Sequence, residues 1–258
     1  MTRSIHPTAV IHPEARLGED CVIGPYCVIG AQVTLGARCR LHSHVVLDGH
    51  TTLGEENEIF PFASIGLKTQ DLKWKGGTTR TLIGSHNTFR ESVTINSATE
   101  DGGVTTVGSD NHIMAYSHVG HDVTLGNHII MSNVATLGGH IVVEDHANIG
   151  GLAAVHPFCR IGSMAIIGGC SKVTQDIPPY MMADGDPAEV RTTNKVGLER
   201  NGVSKEAQAA LKQAYKILFR SKLSTPNALA RIEAGLPPLP ELRHLVEFIR
   251  QSERGISK

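Results

Sequence analysis

The sequence predicts a mainly β protein: a left-handed parallel β-helix of hexapeptide repeats followed by a C-terminal α-helical domain. Two observations predict it. Stepping six residues at a time from Ile5 to Val173, the chain places an aliphatic, methionine or phenylalanine side chain at 26 of 29 positions, and the exceptions, Asp71, Gly77 and Asp101, fall in two polar stretches. After Val173 the six-residue period stops and helical patterning follows. A helix needs apolar residues about every 3.6 positions and an open strand every two, so a strict period of six fits neither, whereas three short strands per coil satisfy it.

Each hexad supplies two inward side chains. Four residues after the frame residue the side chain is usually small, as at Ala9, Ala15, Cys21, Cys27, Cys39, Ala63, Ala135, Ala147, Ala153 and Cys159. Large and small residues alternating inward fill a narrow triangular prism without a lumen. At roughly 1.5 to 3 kcal/mol per buried aliphatic, the frame supplies several tens of kcal/mol of gross burial against a comparable ordering entropy. Glycine often follows the frame residue (Leu17-Gly18, Ile23-Gly24, Leu125-Gly126), where a short strand is expected to turn a corner that needs an unhindered backbone.

Two polar excursions interrupt the repeat. Residues 66–82 carry the only tryptophan and three lysines, and residues 96–106 contain Gly102-Gly103; both are expected to protrude as functional loops. Pro178-Pro179 stops the repeat, so the solenoid domain is assigned to 1–186 and the helical domain to 187–258. In the latter, Ser204 is placed to cap a helix running to about Arg220, and Pro226 and Pro240 suit the first turns of two more.

Composition excludes several classes. A net charge of −1 gives no electrostatic case for nucleic acid, and the 4% aromatic content suits a prism lined by aliphatic and small residues. Four of the five cysteines, Cys21, Cys27, Cys39 and Cys159, fall on the small inward position and read as reduced, inert thiols; Cys170 is the exception. No apolar run resembles a signal peptide or a membrane span, so a cytoplasmic protein is expected.

In a solenoid with 18 residues per coil, residues 18 apart stack on adjacent rungs about 4.8 Å apart. This arithmetic puts His121 beneath Gly139 and Asp122 beneath His140, and gathers His118, His121, Asp122, Gly138, Gly139, His140 and His156 within three coils. A histidine can take a proton from a hydroxyl near neutral pH, and an adjacent carboxylate can fix its tautomer. A glycine one rung away exposes an N–H to an oxyanion, so His121, Asp122 and Gly139 form a candidate catalytic set. The competing reading is that His121 and Asp122 point to opposite faces of a strand and that the glycines are only corners. His128 and His146, also 18 apart, read as an exposed ladder. No two histidines differ by five residues, the spacing of the γ-class carbonic anhydrases, so no metal is expected.

With Gln70-Asp-Leu-Lys73, Ile113-Met-Ala-Tyr-Ser-His-Val-Gly-His-Asp122, Ala135-Thr-Leu-Gly-Gly-His140, Ala154-Val-His-Pro-Phe-Cys159 and Gly168-Gly-Cys-Ser171, the chain closely resembles the UDP-N-acetylglucosamine O-acyltransferases that begin lipid A synthesis. The resemblance covers essentially the whole length. It implies a homotrimer with its active site in the groove between solenoids. By that resemblance His121 would deprotonate the 3-hydroxyl of UDP-N-acetylglucosamine, Asp122 would orient His121, and the Gly139 N–H would bind the oxyanion. It implies an (R)-3-hydroxyacyl group delivered on the phosphopantetheine of acyl carrier protein, with no other cofactor. Asp71, Lys73, His118, His140 and His156 match substrate-holding positions, Asn194 and Arg200 match residues that engage the nucleotide or the carrier, and Gly169 matches the position limiting acyl length, where glycine leaves room for a longer chain.

The chain departs from the family pattern at Asn96-Ser97, Pro157, Val196 and Asn201, which bear on nucleotide contacts, carrier affinity and whether the acceptor carries a 3-hydroxyl or a 3-amino group. Two further classes stay open: an acetyl-CoA-dependent acetyltransferase on a related scaffold, which would not need the Gln70 to Lys73 loop, and a non-enzymatic solenoid, which predicts featureless loops. The basic residues Lys195, Arg200, Lys205, Lys212, Lys216 and Arg220 read either as a solvated face or as a surface for an acidic carrier protein.

Overall fold

In the computed structural model, which describes residues 4–258, two- to four-residue strands recur with every repeat up to Val173 and stack into three parallel sheets. Ile5 pairs with Ile23, Ile11 with Ile29 and Leu17 with Leu35, each eighteen residues on. Across the excursions Leu53 pairs with Ile83, thirty on, and Ile83 with Val107, twenty-four on. The insertions therefore add twelve and six residues, whole hexads, and the inward frame survives both. From Ile23 onward the frame residues of the coils are buried, as are Cys21, Cys27, Cys39 and Cys159 at the small positions; Cys170 is exposed. Burial pushes the Cys159 thiol up to about 11, so it stays protonated and unreactive.

The corners are built differently from the expectation that glycine makes them. From Tyr116 to Cys170 every sixth residue has a positive φ, between 55° and 66°, and none of these is glycine. Such a conformation costs an L-residue about 1–2 kcal/mol. It is offset by a bond around the corner: the N–H of Val134 donates to Ala115 O, that of His140 to His121 O and that of Phe158 to Gly139 O, at 3.0–3.1 Å. The repeat glycines serve close approach instead. A Cβ on Gly36 would lie 2.4–2.6 Å from the Gly54 and Glu55 backbone of the next coil. Gly36→Ala is thus expected to destabilise by about 1–3 kcal/mol, read as a fall in Tm. Two-residue strands carry too little twist to impose the right-handed connection usual between parallel strands, and the coil is the left-handed β-helix.

The three edges of the prism differ in chemistry. The edge after the eleven-stranded sheet presents Tyr26, His44 and Phe62, stacked at 5.0 Å between successive ring centroids, and then Ser92, Tyr116, Val134, Leu152 and Cys170. The edge after the eight-stranded sheet presents Arg38, Glu56, His86, Asp110, His128 and His146, the last two stacked at 4.7 Å. The edge after the nine-stranded sheet carries Asp122, His140 and Phe158.

Residues 187–193 are not helical. Met181–Gly185 and Ala188–Thr193 form an antiparallel hairpin that supplies the last two strands of the eleven-stranded sheet, so a boundary at 186/187 would cut through its turn. The strand beyond the Gly185-Asp186-Pro187 turn lacks the hexad frame, so the six-residue period carries no sign of it. Helices α1 (Lys195–Arg200), α2 (Lys205–Arg220), α3 (Thr225–Gly235) and α4 (Pro240–Arg250) follow. The Ser204 hydroxyl accepts from the Ala207 N–H and caps α2, and prolines occupy the first turns of α3 and α4.

The helices dock through polar groups that the sequence did not single out. Glu144 accepts from the Ser163 N–H at 2.8 Å and pairs with His244 Nε2 of α4 at 2.9 Å, while His244 Nδ1 meets the Tyr180 hydroxyl at 2.8 Å. Burial alone would raise the Glu144 pKa, but the hydrogen bond and charge of His244, the Ser163 N–H and Arg160 together hold it below its ordinary value of 4.5. A depressed folded-state pKa adds stability above the unfolded value that is lost as pH falls through the folded one. Tm is therefore expected to drop below about pH 4.5, and Glu144→Gln should flatten that acid limb in a thermal melt series.

Candidate functional site

His121 and Asp122 meet because Asp122 takes the left-handed corner conformation, φ 59°, which turns its side chain back instead of to the opposite face. His121 Nδ1 lies 2.8 Å from Asp122 Oδ2, so the carboxylate holds the ring and leaves Nε2 directed away from it. The same oxygen accepts from the Thr99 N–H at 3.0 Å, and the Asp122 N–H donates to Thr105 Oγ1 at 2.9 Å. Thr105 stands in for the carbonyl that receives the corner N–H in ordinary coils, which the second excursion displaces.

The rung above fits the ring. A Cβ on Gly139 would lie 2.3 Å from His121 Cε1 and 2.4 Å from Nε2, so only glycine leaves the imidazole its place. The Gly139 N–H has no acceptor among the described residues. This corner position lies outside the sheet ladder, as Pro25, Pro61 and Pro157 at equivalent positions show. An unpaired N–H thus sits beside a histidine whose other nitrogen is anchored.

The remaining candidates divide. Asp71 reaches the dyad, its Oδ2 lying 3.8 Å from His121 Nε2, and Lys73 is exposed two residues on, its N–H donating to Asp71 Oδ1. His140 stands edge-on to His121 at 5.1 Å, with Nε2 3.8 Å from Asp122 Oδ2, and stacks on Phe158 at 4.6 Å. His118 Nδ1 is 2.7 Å from Thr94 Oγ1; burial first, and the charge of His121 second, lower its pKa, so it offers a neutral ring. His156 is exposed and makes no bond to the dyad; its Nδ1 lies 3.4 Å from Arg254 Nη2. Gly169 lies on the edge after the eleven-stranded sheet, away from the edge that carries His121.

In the helical domain Asn194 has a local task. Its Oδ1 accepts from the Gly197 N–H and its Nδ2 donates to Met164 O, which caps α1 and ties it to the solenoid. Arg200 is exposed at the end of α1. Arg220 donates to the Tyr215 hydroxyl, and Lys195 and Lys205 approach Glu199, so part of the basic face is internally paired.

Thr99, Thr105 and Arg254 were not legible as site residues. Thr99 and Asp122 are 23 apart and Arg254 lies 98 from His156, so the 18-residue ladder points to neither. Phe158, 18 beyond His140, was within reach of that arithmetic. His121, Asp122 and His140 each have a ligand atom within 4.8 Å of the others, a set a divalent transition ion could take. Such an ion would occupy a nitrogen of the His121 ring. Zinc is accordingly expected to inhibit any reaction that uses His121, with recovery on chelation, measured as initial rate against metal concentration.

A family model described as UDP N-acetylglucosamine O-acyltransferase, domain 2, matches residues 176–257, and one described as GMPPB C-terminal domain matches residues 5–100. The acyl-[acyl-carrier-protein]–UDP-N-acetylglucosamine O-acyltransferase of Thermodesulfovibrio yellowstonii is 50% identical over 209 residues, 81% of each chain. The chain belongs to the UDP-N-acetylglucosamine O-acyltransferase family. The solved structure of LpxA from Acinetobacter baumannii superposes with a TM-score of 0.95 at 43% identity, covering 98% of this chain and 99% of that one. LpxA from Bacteroides fragilis, described as a UDP-N-acetylglucosamine acyltransferase, gives 0.96 at 40% identity over 98% and 100%. Both domains of this O-acyltransferase thus match as one unit, the helical tail included. No helix among its described residues is long and apolar enough to cross a membrane.

Proposed function

We propose that the protein transfers an (R)-3-hydroxyacyl chain from acyl carrier protein to the glucosamine 3-hydroxyl of UDP-N-acetylglucosamine, the opening step of lipid A biosynthesis. The observation that carries the mechanism is the His121 ring, fixed to Asp122 through Nδ1 and seated against Gly139. His121 Nε2 takes the proton of the 3-hydroxyl as its oxygen attacks the thioester carbonyl. The Gly139 N–H receives the oxyanion, a donor of a kind typically worth about 3 kcal/mol. Collapse expels the phosphopantetheine thiolate, which recovers the proton from the imidazolium. Asp122 balances the imidazolium charge, and Asp71 and Lys73 hold the sugar near Nε2. No cofactor beyond the carrier's phosphopantetheine and no metal enters these steps.

The working assembly in this reading is a homotrimer. The edge that carries Tyr26, His44, Phe62, Tyr116, Val134 and Leu152, the first three stacked and Ser92 its polar break, is largely exposed in one copy, which favours cover by another. Leu72 is wholly exposed beside Asp71. Cavities of about 500 and 430 Å³ lie around α3 and α4. Across a groove between copies Gly169 of one copy would face the dyad of the next and leave room for a long acyl chain. His156, His118 and His140 would line the sugar pocket, and Arg200 with the unpaired lysines would meet the carrier. Charge reversal at Lys216 is expected to raise the KM for acyl carrier protein without changing that for the sugar.

The test is incubation of the purified protein with UDP-N-acetylglucosamine and 3-hydroxyacyl carrier proteins of graded chain length, with product mass read by mass spectrometry. Acylated UDP-N-acetylglucosamine supports the proposal and identifies the preferred chain. Acylation only of the 3-amino analogue would replace the acceptor and keep the mechanism; no product from either would overturn both.

A further inference from the structure

The two excursions from the solenoid are joined at one buried point. Thr69, in the first, and Thr99, in the second, are only 4% and 6% exposed, and their hydroxyl oxygens lie 2.8 Å apart. Thr69 Oγ1 also accepts from the Asp71 N–H at 3.1 Å, and the Thr99 N–H donates to Asp122 Oδ2 at 3.0 Å. Asp122 Oδ2 anchors His121 Nδ1, and Asp71 Oδ2 faces His121 Nε2. The contacts close a ring: from one nitrogen of His121 through Asp122, Thr99, Thr69 and Asp71 to the other. Other bonds join the excursions, such as the Ser97 N–H to Leu67 O and Asn96 Nδ2 to Lys68 O, but they end on residues that do not touch the dyad.

We propose that the Thr69–Thr99 hydroxyl pair is a positioning device that fixes Asp71 against His121 Nε2 and couples the order of the substrate loop to the orientation of the base. The inference rests on His121 acting as the base. A buried hydroxyl pair suits this task, since either oxygen can donate to the other and still accept a backbone N–H, and removing one leaves the other hydroxyl without that partner. The register of Asp71 then depends on a bond to the second excursion and not on the first alone. A displacement of about 1 Å at such a group can cost as much as 10²-fold in rate.

The experiment compares Thr69→Val and Thr99→Val, the double valine variant and the two serine variants. It measures kcat and KM for UDP-N-acetylglucosamine, Tm, and amide hydrogen exchange over 69–73 and 97–101. Each single valine is expected to lower kcat/KM by about ten- to a hundredfold. The double variant should lose no more than Thr69→Val alone, because both singles break the hydroxyl pair and Thr69→Val also removes the acceptor of the Asp71 N–H. Serine should stay within about threefold of the parent, and exchange should rise in both segments whichever threonine is changed. Valine variants with parental kcat/KM, losses that the serine variants share, or exchange that rises only in the altered segment would overturn the proposal. If a single valine proves too unstable to assay, the double variant, which leaves no hydroxyl unpaired, carries the same comparison. Exchange needs no turnover, so the bridge is tested even where acyl transfer is not found and the reading of His121 as base falls alone.

Discussion

His121→Ala is expected to lower kcat for acyl transfer by about 10²- to 10⁴-fold, the usual worth of a positioned general base, with little change in Tm. The side chain lies on the prism edge and fills no part of the core, so its loss opens no cavity. Asp122→Asn should share most of the rate loss, since an amide in place of the carboxylate no longer fixes the tautomer or balances the imidazolium. The two losses should not add, because both act through one ring. Single-turnover rates with saturating acyl donor separate this chemistry from product release. A His121→Ala protein that retains parental kcat would remove His121 as base and leave the fold assignment intact.

Gly139→Ala is the second large effect, expected to reduce kcat by about 10²-fold through displacement of the proposed base. The added methyl would meet the imidazole at 2.3–2.4 Å, and the ring is the movable partner. It would tilt from its bond to Asp122, and the methyl would narrow access to the neighbouring N–H. The Tm should hold, because a side chain gives way and not a coil. Gly36→Ala makes the opposite case, since its methyl meets only backbone of the next coil. Measured together, the two variants should dissociate: Gly139→Ala loses turnover with its melt preserved, and Gly36→Ala loses stability with its kcat preserved. A loss of both in Gly139→Ala would make the glycine a packing requirement of the coil.

The dyad and its glycine neighbour could be read in advance because a solenoid converts sequence separation into distance. Residues 18 apart must lie on adjacent rungs, so Gly139 above His121 and His140 above Asp122 follow from the repeat. What the repeat could not decide is how two adjacent side chains are directed. Strand alternation would send His121 and Asp122 to opposite faces; the positive φ at Asp122 brings them together. Nothing in the residue type forces that conformation, since Val134, Phe158 and Tyr116 adopt it at other corners. It comes from the N–H that must reach the coil before it.

By itself, the sequence determined the solenoid, its frame, the places where it is interrupted and the columns in which side chains stack. These depend on inward periodicity, a local property repeated along the chain. The tertiary structure alone decided the contacts that no fixed spacing relates: Thr99 on Asp122, Thr69 on Thr99, Asp71 on His121, Arg254 beside His156 and His244 on Glu144. Each lies where an insertion or the helical domain folds back on the coils. There the geometry depends on the path of a loop and on which buried polar groups satisfy one another, and neither leaves a period in the chain.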